Sequence, residues 1–157
     1  MPEMSLLREE RGMSLGLPWD GRNMKPIIGR REWFSIPEHG VDWVRGKVDT
    51  GARSSSLHAT DIEPFEKNGA DWVRFKTIDD LECEAPVIFM KRLKSENGVF
   101  SKRYFIEITA GTLDEAEHDL LVSLTCRASM KCPLLLGRRS LTGFLVDCSR
   151  SQLLGKI

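Results

Sequence analysis

The chain has 157 residues, and its 23 Lys and Arg against 23 Asp and Glu leave a formal net charge of zero. That length suits one domain able to bury its own core without metal or disulfide support. A neutral chain with pI near 6.8 is not one whose whole surface tracks nucleic acid or an anionic membrane, so neither is expected as a direct partner. No apolar run reaches the roughly 18 residues of a membrane span, and residues 1–24 lack the basic start, apolar stretch and small-residue cleavage site of a secretory signal. A cytoplasmic protein is expected. The four cysteines, Cys83, Cys126, Cys132 and Cys148, form no Cys-x-x-Cys pair and are too few for a disulfide scaffold. They are read as reduced thiols packed as small apolar residues.

Residues 1–24 mix Arg8, Glu9, Glu10 and Arg11 with Gly12, Gly16, Pro18 and Gly21 and keep no period, which reads as a flexible tail. A docking segment built on Leu6, Leu7, Leu15, Leu17 and Trp19 is the alternative reading. The folded domain is expected over 25–157. Strands are predicted over residues 25–33 and 41–49, separated by Pro37 and Gly40, then over 72–77, 85–91, 103–109, 119–124, 134–136 and 144–147. Asn68-Gly69 and Asn97-Gly98 are hairpin-turn dipeptides. Helix is scarce: at most one turn over 113–117 and a short helix over 138–142, after Gly137. Many strands without alternating helices indicate an all-β fold, a closed barrel or a sandwich.

The stretch that carries chemistry is Lys47-Val48-Asp49-Thr50-Gly51-Ala52-Arg53-Ser54-Ser55. An apolar strand runs into an acid, a hydroxyl and a glycine, so the carboxylate leaves the sheet on a tight loop. Gly51 permits the turn and lets backbone N–H groups approach the carboxylate, and Thr50 can tie the loop to a partner through its hydroxyl. The triplet alone also fits an ordinary strand end with an Asx turn. A second element, Pro133-Leu134-Leu135-Leu136-Gly137-Arg138-Arg139, is an apolar strand closed by glycine and then arginine.

In this order the two elements resemble the retropepsin-type aspartic peptidases, where the second packs behind the catalytic loop and fixes it. The resemblance implies a closed barrel with one lobe per chain. Gly29-Arg30-Arg31-Glu32-Trp33, the Asp49 loop with Ser56-Leu57-His58-Ala59, Val122-Ser123-Leu124-Thr125, Leu134 to Arg139, and Phe144-Leu145-Val146-Asp147 before Ser149-Arg150-Ser151 are similar to a bacterial branch of that class. That branch is labelled as an ATP-dependent zinc protease and is RimB-type; some members accompany a ligase that adds glutamates to a ribosomal protein, and are associated with removing them.

The resemblance implies Asp49, Thr50 and Gly51 as the catalytic loop, with Ala52 leaving space beside it. Aspartic peptidase chemistry needs two carboxylates, one activating water and the other protonating the substrate carbonyl. Asp-Thr-Gly occurs once in the chain, so a homodimer pairing two Asp49 residues on a two-fold axis is expected. The pair would titrate as one unit. A flap is expected over residues 92–104 around Asn97-Gly98, with 65–72 as the second candidate.

Arg53, Arg138 and Arg139 suit bidentate recognition of carboxylates, which points to an acidic or glutamate-rich peptide or protein as substrate. Each has a plainer reading: Arg138 as a tie between loops, Arg53 and Arg139 as solvated charges. Neutrality also hides a segregation. Residues 61–84 carry eight acids (Asp61, Glu63, Glu66, Asp71, Asp79, Asp80, Glu82, Glu84) against three bases, whereas residues 125–139 carry Arg127, Lys131, Arg138 and Arg139 and no acid.

His39, His58 and His118 fall in no His-Glu-x-x-His or comparable helical pair, so no metal site is expected. Leu154-Gly155-Lys156 lacks the upstream glycine of a phosphate-binding loop, and no cofactor is expected. Ser54 to Ser56 are in no nucleophile-elbow context. The non-enzyme alternative is a peptide-binding or regulatory module of the same fold, holding an extended chain without cutting it.

Overall fold

The computed structural model describes residues 24–94 and 96–157, and the tail expected over 1–24 lies outside them except for Met24. Twelve strands are present among the described residues: β1 (Ile27–Gly29), β2 (Arg31–Ile36), β3 (Val41–Val48), β4 (Ser55–His58), β5 (Thr60–Lys67), β6 (Ala70–Lys76), β7 (Glu82–Pro86), β8 (Phe89–Lys94), β9 (Phe100–Thr112), β10 (Glu117–Thr125), β11 (Leu134–Leu136) and β12 (Leu145–Asp147). The order β10-β4-β11-β3-β2-β9 is closed by antiparallel pairing of β9 with β10, giving a six-stranded barrel. The fold is therefore all-β and closed, as expected. β8 pairs with β9 outside the ring, β5, β6 and β7 form a separate antiparallel sheet, and β1 pairs in parallel with β12.

Alternation drives the barrel. In β2, Glu32, Phe34 and Ile36 point inward while their neighbours are half-covered. In β9 the inner half buries Phe105, Ile106, Ile108, Ala110 and Thr112, while Phe100 to Lys102 at the outer end are exposed. Phe34, Ile36, Ile106, Ile108 and Ala110 meet Leu57, Leu120, Val122, Leu134 and Leu136 in one core. β11 lies between β3, in parallel with Leu136 opposite Val48, and β4, antiparallel with Leu134 opposite Leu57. A late strand thereby locks two early ones.

Several boundaries differ from the sequence reading. The strand predicted over 25–33 is two strands broken at Arg30, whose N–H turns away to Arg150 O at 2.8 Å and whose carbonyl accepts Val48 N–H at 2.9 Å. The run over 85–91 divides into β7 and β8, because Val87 N–H bonds back to Asp71 O while Ile88 N–H bonds to Phe105 O. β4 and β5 were not anticipated. Residues 113–117 form no helix; Thr112 N–H bonds to Ala116 O at 3.0 Å across a turn with Glu115 in the left-handed region (φ 66°). The helix over 138–142 shortens to a 3-10 turn, Arg138–Ser140. Asn68 (φ 52°) and Gly69 (φ 77°) make the β5–β6 hairpin turn expected of them, and Gly98 (φ 82°) turns β8 into β9. All four cysteines are free, but only Cys83 and Cys132 are buried; Cys126 and Cys148 are exposed because they lie on loops after β10 and β12.

Glu32 is the buried charge of the fold's base. It is 1% exposed, and its carboxylate accepts N–H groups of Gly29 at 2.6 Å, Leu153 at 3.0 Å and Leu154 at 3.0 Å. It ties the entry of β2 to the C-terminal segment. Trp33 Nε1 donates to Gln152 Oε1 at 3.2 Å on the neighbouring position. Asp147 completes this region: hydrogen bonds from Ser149 and Arg150 hold its carboxyl at about 2, below the usual 3.8.

Candidate active site

Asp49 leaves the end of β3 with its N–H on Leu136 O at 2.9 Å, so β11 sets where the carboxylate emerges. The carboxylate accepts Gly51 N–H at 2.9 Å, and Ala52 N–H closes the turn on Asp49 O at 3.2 Å. Asp49 and Ala52 are half-buried, whereas Thr50 and Gly51 are exposed on this single chain. The loop presents one oriented carboxylate at the molecular surface, with a hydroxyl beside it.

The second sequence element braces that loop. Arg138 N–H bonds to Ala52 O at 2.7 Å and Arg139 N–H to Arg53 O at 3.2 Å. Arg138 Nη1 donates to the carbonyls of Thr50 and Gly51, each at 3.2 Å. Its observed contacts are those of a loop tie, the plainer of its two readings. Gly137 N–H donates to Ser55 Oγ at 3.0 Å, and Ser55 Oγ meets Ser140 Oγ at 2.5 Å. Gly137 has an extended φ of −89°, so its requirement is space: a Cβ there would sit 2.5 Å from Ser54 O and 2.6 Å from Ser54 C. Gly137→Ala should therefore push the two loops apart at a cost of about 1–3 kcal/mol. Melting should fall by about 2–4 °C per kcal/mol, and the amide signals of residues 49–54 should shift; an unchanged melting curve would contradict this packing.

A cavity of about 400 Å³ opens beside the loop. Its floor is Ala52, Ser54 and Ser56 with Leu135, Ser123 and Thr125, and its roof is Lys91, Leu93, Arg103 and Phe105 from β8 and β9. The β8–β9 hairpin, which contains the first-choice flap region 92–104, thus borders the cavity through Lys91, Leu93, Arg103 and Phe105. The second candidate, 65–72, belongs to the separate β5–β6–β7 sheet and lines none of it.

The basic residues distribute differently from the sequence reading. Arg53, Lys131, Arg138 and Arg139 are exposed and absent from the cavity wall, while Arg127, from the same basic stretch, lines it. Lys91 and Arg103 were missed; they face each other across β8 and β9, a register that residue order alone does not give. The acids of 61–84 lie on the separate sheet or its connections and pair locally, as in Arg74 with Glu84 at 3.0 Å and Lys76 with Asp61 at 3.5 Å.

The three histidines are dispersed. His39 packs edge-on against Phe75, His58 Nδ1 accepts Arg127 N–H at 2.8 Å, and His118 Nε2 meets Thr112 Oγ1 at 3.1 Å. Burial holds His39 and His118 below the usual histidine value. Among the described residues no group of three or more His, Cys, Asp or Glu side chains is arranged to hold a metal ion. No helix among them is long and apolar enough to cross a membrane.

A six-stranded barrel whose Asp-Thr-Gly-Ala loop is braced from behind by Leu-Gly-Arg is a retropepsin-like fold. Comparison with known families sharpens this: residues 27–156 match the RimB-like family, described as the retropepsin-like aspartic endopeptidase RimB, and the chain belongs to that family. It is 40% identical over 142 residues to a probable alpha-L-glutamate ligase of Shewanella halifaxensis, covering 84% of this chain and 30% of that protein. A probable alpha-L-glutamate ligase of Desulfotalea psychrophila is 33% identical over 141 residues, again covering 85% of this chain and 30% of the relative. The chain thus spans about 30% of the length of the curated relatives it matches. Among solved structures, the Legionella pneumophila protein Lpg0085, titled as of unknown function, is similar with a TM-score of 0.70 and 27% identity, over 83% of this chain and 99% of that one.

Proposed function

We propose that the protein is a homodimeric aspartic peptidase in which two Asp49 carboxylates, one from each subunit, activate water for hydrolysis of a peptide bond. The observation that carries this reading is the Asp49 carboxylate, oriented by Gly51 N–H on a loop braced by Arg138 and Gly137. One carboxylate takes a proton from water as the oxygen adds to the carbonyl carbon, while its protonated partner donates to the carbonyl oxygen. Collapse breaks the C–N bond as the proton held by the first carboxylate passes to the amine, and a hydroxyl proton of the gem-diol returns to the second carboxylate, which restores the starting pair.

The substrate is an acidic chain, and trimming of glutamate tails from a ribosomal protein is the reaction it best suits. Two things support this: the cation-lined cavity beside the loop, and relatives named as probable alpha-L-glutamate ligases. No nucleic acid, membrane, metal or cofactor takes part in this reading. The name and greater length of those relatives also favour a second reading, a peptide-binding module that serves ligase chemistry without cutting.

Sedimentation at working concentration tests the dimer, and mass spectrometry of a glutamate-tailed peptide tests the reaction. Cleavage by a dimer is the expected result. A strictly monomeric protein that still cleaves would defeat the paired-Asp49 scheme, and a peptide bound but never shortened would leave the binding module in its place.

A further inference from the structure

We infer that Arg127 is the specificity-determining residue of the cavity beside Asp49, recognising a side-chain carboxylate of the bound chain; this rests on reading that cavity as a peptide site. Arg127 is only 7% exposed, yet it has no carboxylate partner among the described residues. Its guanidinium is held by neutral acceptors alone. Nε donates to Cys132 O at 3.0 Å, and Nη1 lies 3.4 Å from Ser56 Oγ. Its own backbone is fixed by the N–H bond to His58 Nδ1 at 2.8 Å.

Buried charges are ordinarily paired, because removing a cation from water costs several kcal/mol that neutral acceptors offset only in part. An anion from outside the chain completes the balance. Nη2 has no hydrogen-bond partner among the described residues, and no buried side-chain nitrogen or oxygen there lacks one, so Nη2 reaches open space. Arg127 lines the 400 Å³ cavity and also a neighbouring one that carries Asp79 and Asp80, neither of which pairs with it; Ser56, the Nη1 partner, lines only the first, which places that edge of the guanidinium at the wall beside Asp49. A carboxylate docking there meets a pre-oriented fork and freezes few rotamers on the protein side.

The rest of the wall agrees. Lys91 and Arg103 stand directly opposite each other on β8 and β9, with Lys91 Nζ 5.9 Å from the Phe105 ring centroid, so two like charges share this part of the wall. Among the described residues, three cations and no acid line the cavity. The occupant is therefore a chain bearing Glu or Asp side chains, and Arg127, the buried and oriented member, distinguishes a carboxylate from its neutral amide.

The experiment reads binding and not cleavage, so its failure is separate from failure of the peptidase reading. Asp49→Asn protein is titrated with a fluorescent Glu-rich peptide and with the same peptide carrying Gln throughout. The Glu peptide should bind at least about 10-fold more tightly. Arg127→Gln should erase most of that ratio, and Arg127→Lys should restore part of it. In the unsubstituted site, the Arg127 Nε–H NMR signal should move with the Glu peptide and stay still with the Gln peptide; this readout decides the matter even if Arg127→Gln fails to fold. Equal affinity for the two peptides, a ratio unchanged in Arg127→Gln, or an Nε–H signal indifferent to both peptides would overturn the assignment. Binding without Glu preference would sink Arg127 and leave the peptidase reading to its own cleavage assay on the wild-type protein, whereas an Arg127-dependent preference stands whether or not that assay finds cleavage.

Discussion

Asp49→Asn should lower peptide hydrolysis by at least about 10⁴-fold while leaving the fold intact. The size follows from the role: a general acid or base is worth about 10²–10⁴-fold, and in a homodimer one substitution removes both carboxylates. The amide is nearly isosteric and still offers an oxygen to Gly51 N–H, which now bonds the carboxylate at 2.9 Å. Stability should therefore change little, and a melting curve within a few degrees of wild type is the control. Mass spectrometry of a glutamate-tailed peptide, incubated from pH 4 to 8, should give a bell-shaped rate profile for wild type, because the acid and base forms of the pair are both needed. Activity that persists in Asp49→Asn and disappears with a chelator would instead require a metal mechanism.

Glu32→Ala should be the most damaging single change to stability. Three backbone N–H groups, on Gly29, Leu153 and Leu154, end on this one carboxylate in a site 1% exposed. Each donor left unsatisfied in such a place costs about 1–3 kcal/mol, so a loss of roughly 3–9 kcal/mol is expected, a large share of the 5–15 kcal/mol that a typical domain possesses. Water entering the vacated volume would lower the figure. Urea denaturation measures it directly, and a loss under 1 kcal/mol would mean that the carboxylate is not what joins β2 to the C-terminal segment. Glu32→Gln is the informative companion, since its single carbonyl oxygen can keep some but not all of the three bonds.

What could be read from residue order follows from how local each signal is. The closed all-β class was legible because Phe34 and Ile36, or Ile106, Ile108 and Ala110, alternate within one strand. The Asp49 loop and its brace were legible because each is a contiguous string of residues. β4 was not: Ser55-Ser56-Leu57-His58 has one strongly apolar residue, and Ser55 and Ser56 are buried only because they pair with β10 and β11. β5 carries Pro64 and four charged side chains, tolerable on the edge of the small sheet but unlike a core strand. Arg127 gave no motif at all. Its guanidinium is held by Cys132 O, five residues on, and by Ser56 Oγ, which only the folded barrel brings beside it.

The placement of β11 also imposes an order of events. β3 and β4 are complete by residue 58, but the strand that belongs between them is residues 134–136. Until that segment arrives, Asp49 N–H has no Leu136 carbonyl to bond, and Ala52 O has no Arg138 N–H. Closure thus waits on contacts between chain segments far apart in sequence, which makes folding slow relative to a helical bundle of the same size. A chain still being synthesised, or cut before Leu134, holds its Asp-Thr-Gly without the brace. The loop therefore takes its braced form only after nearly the whole domain has been made.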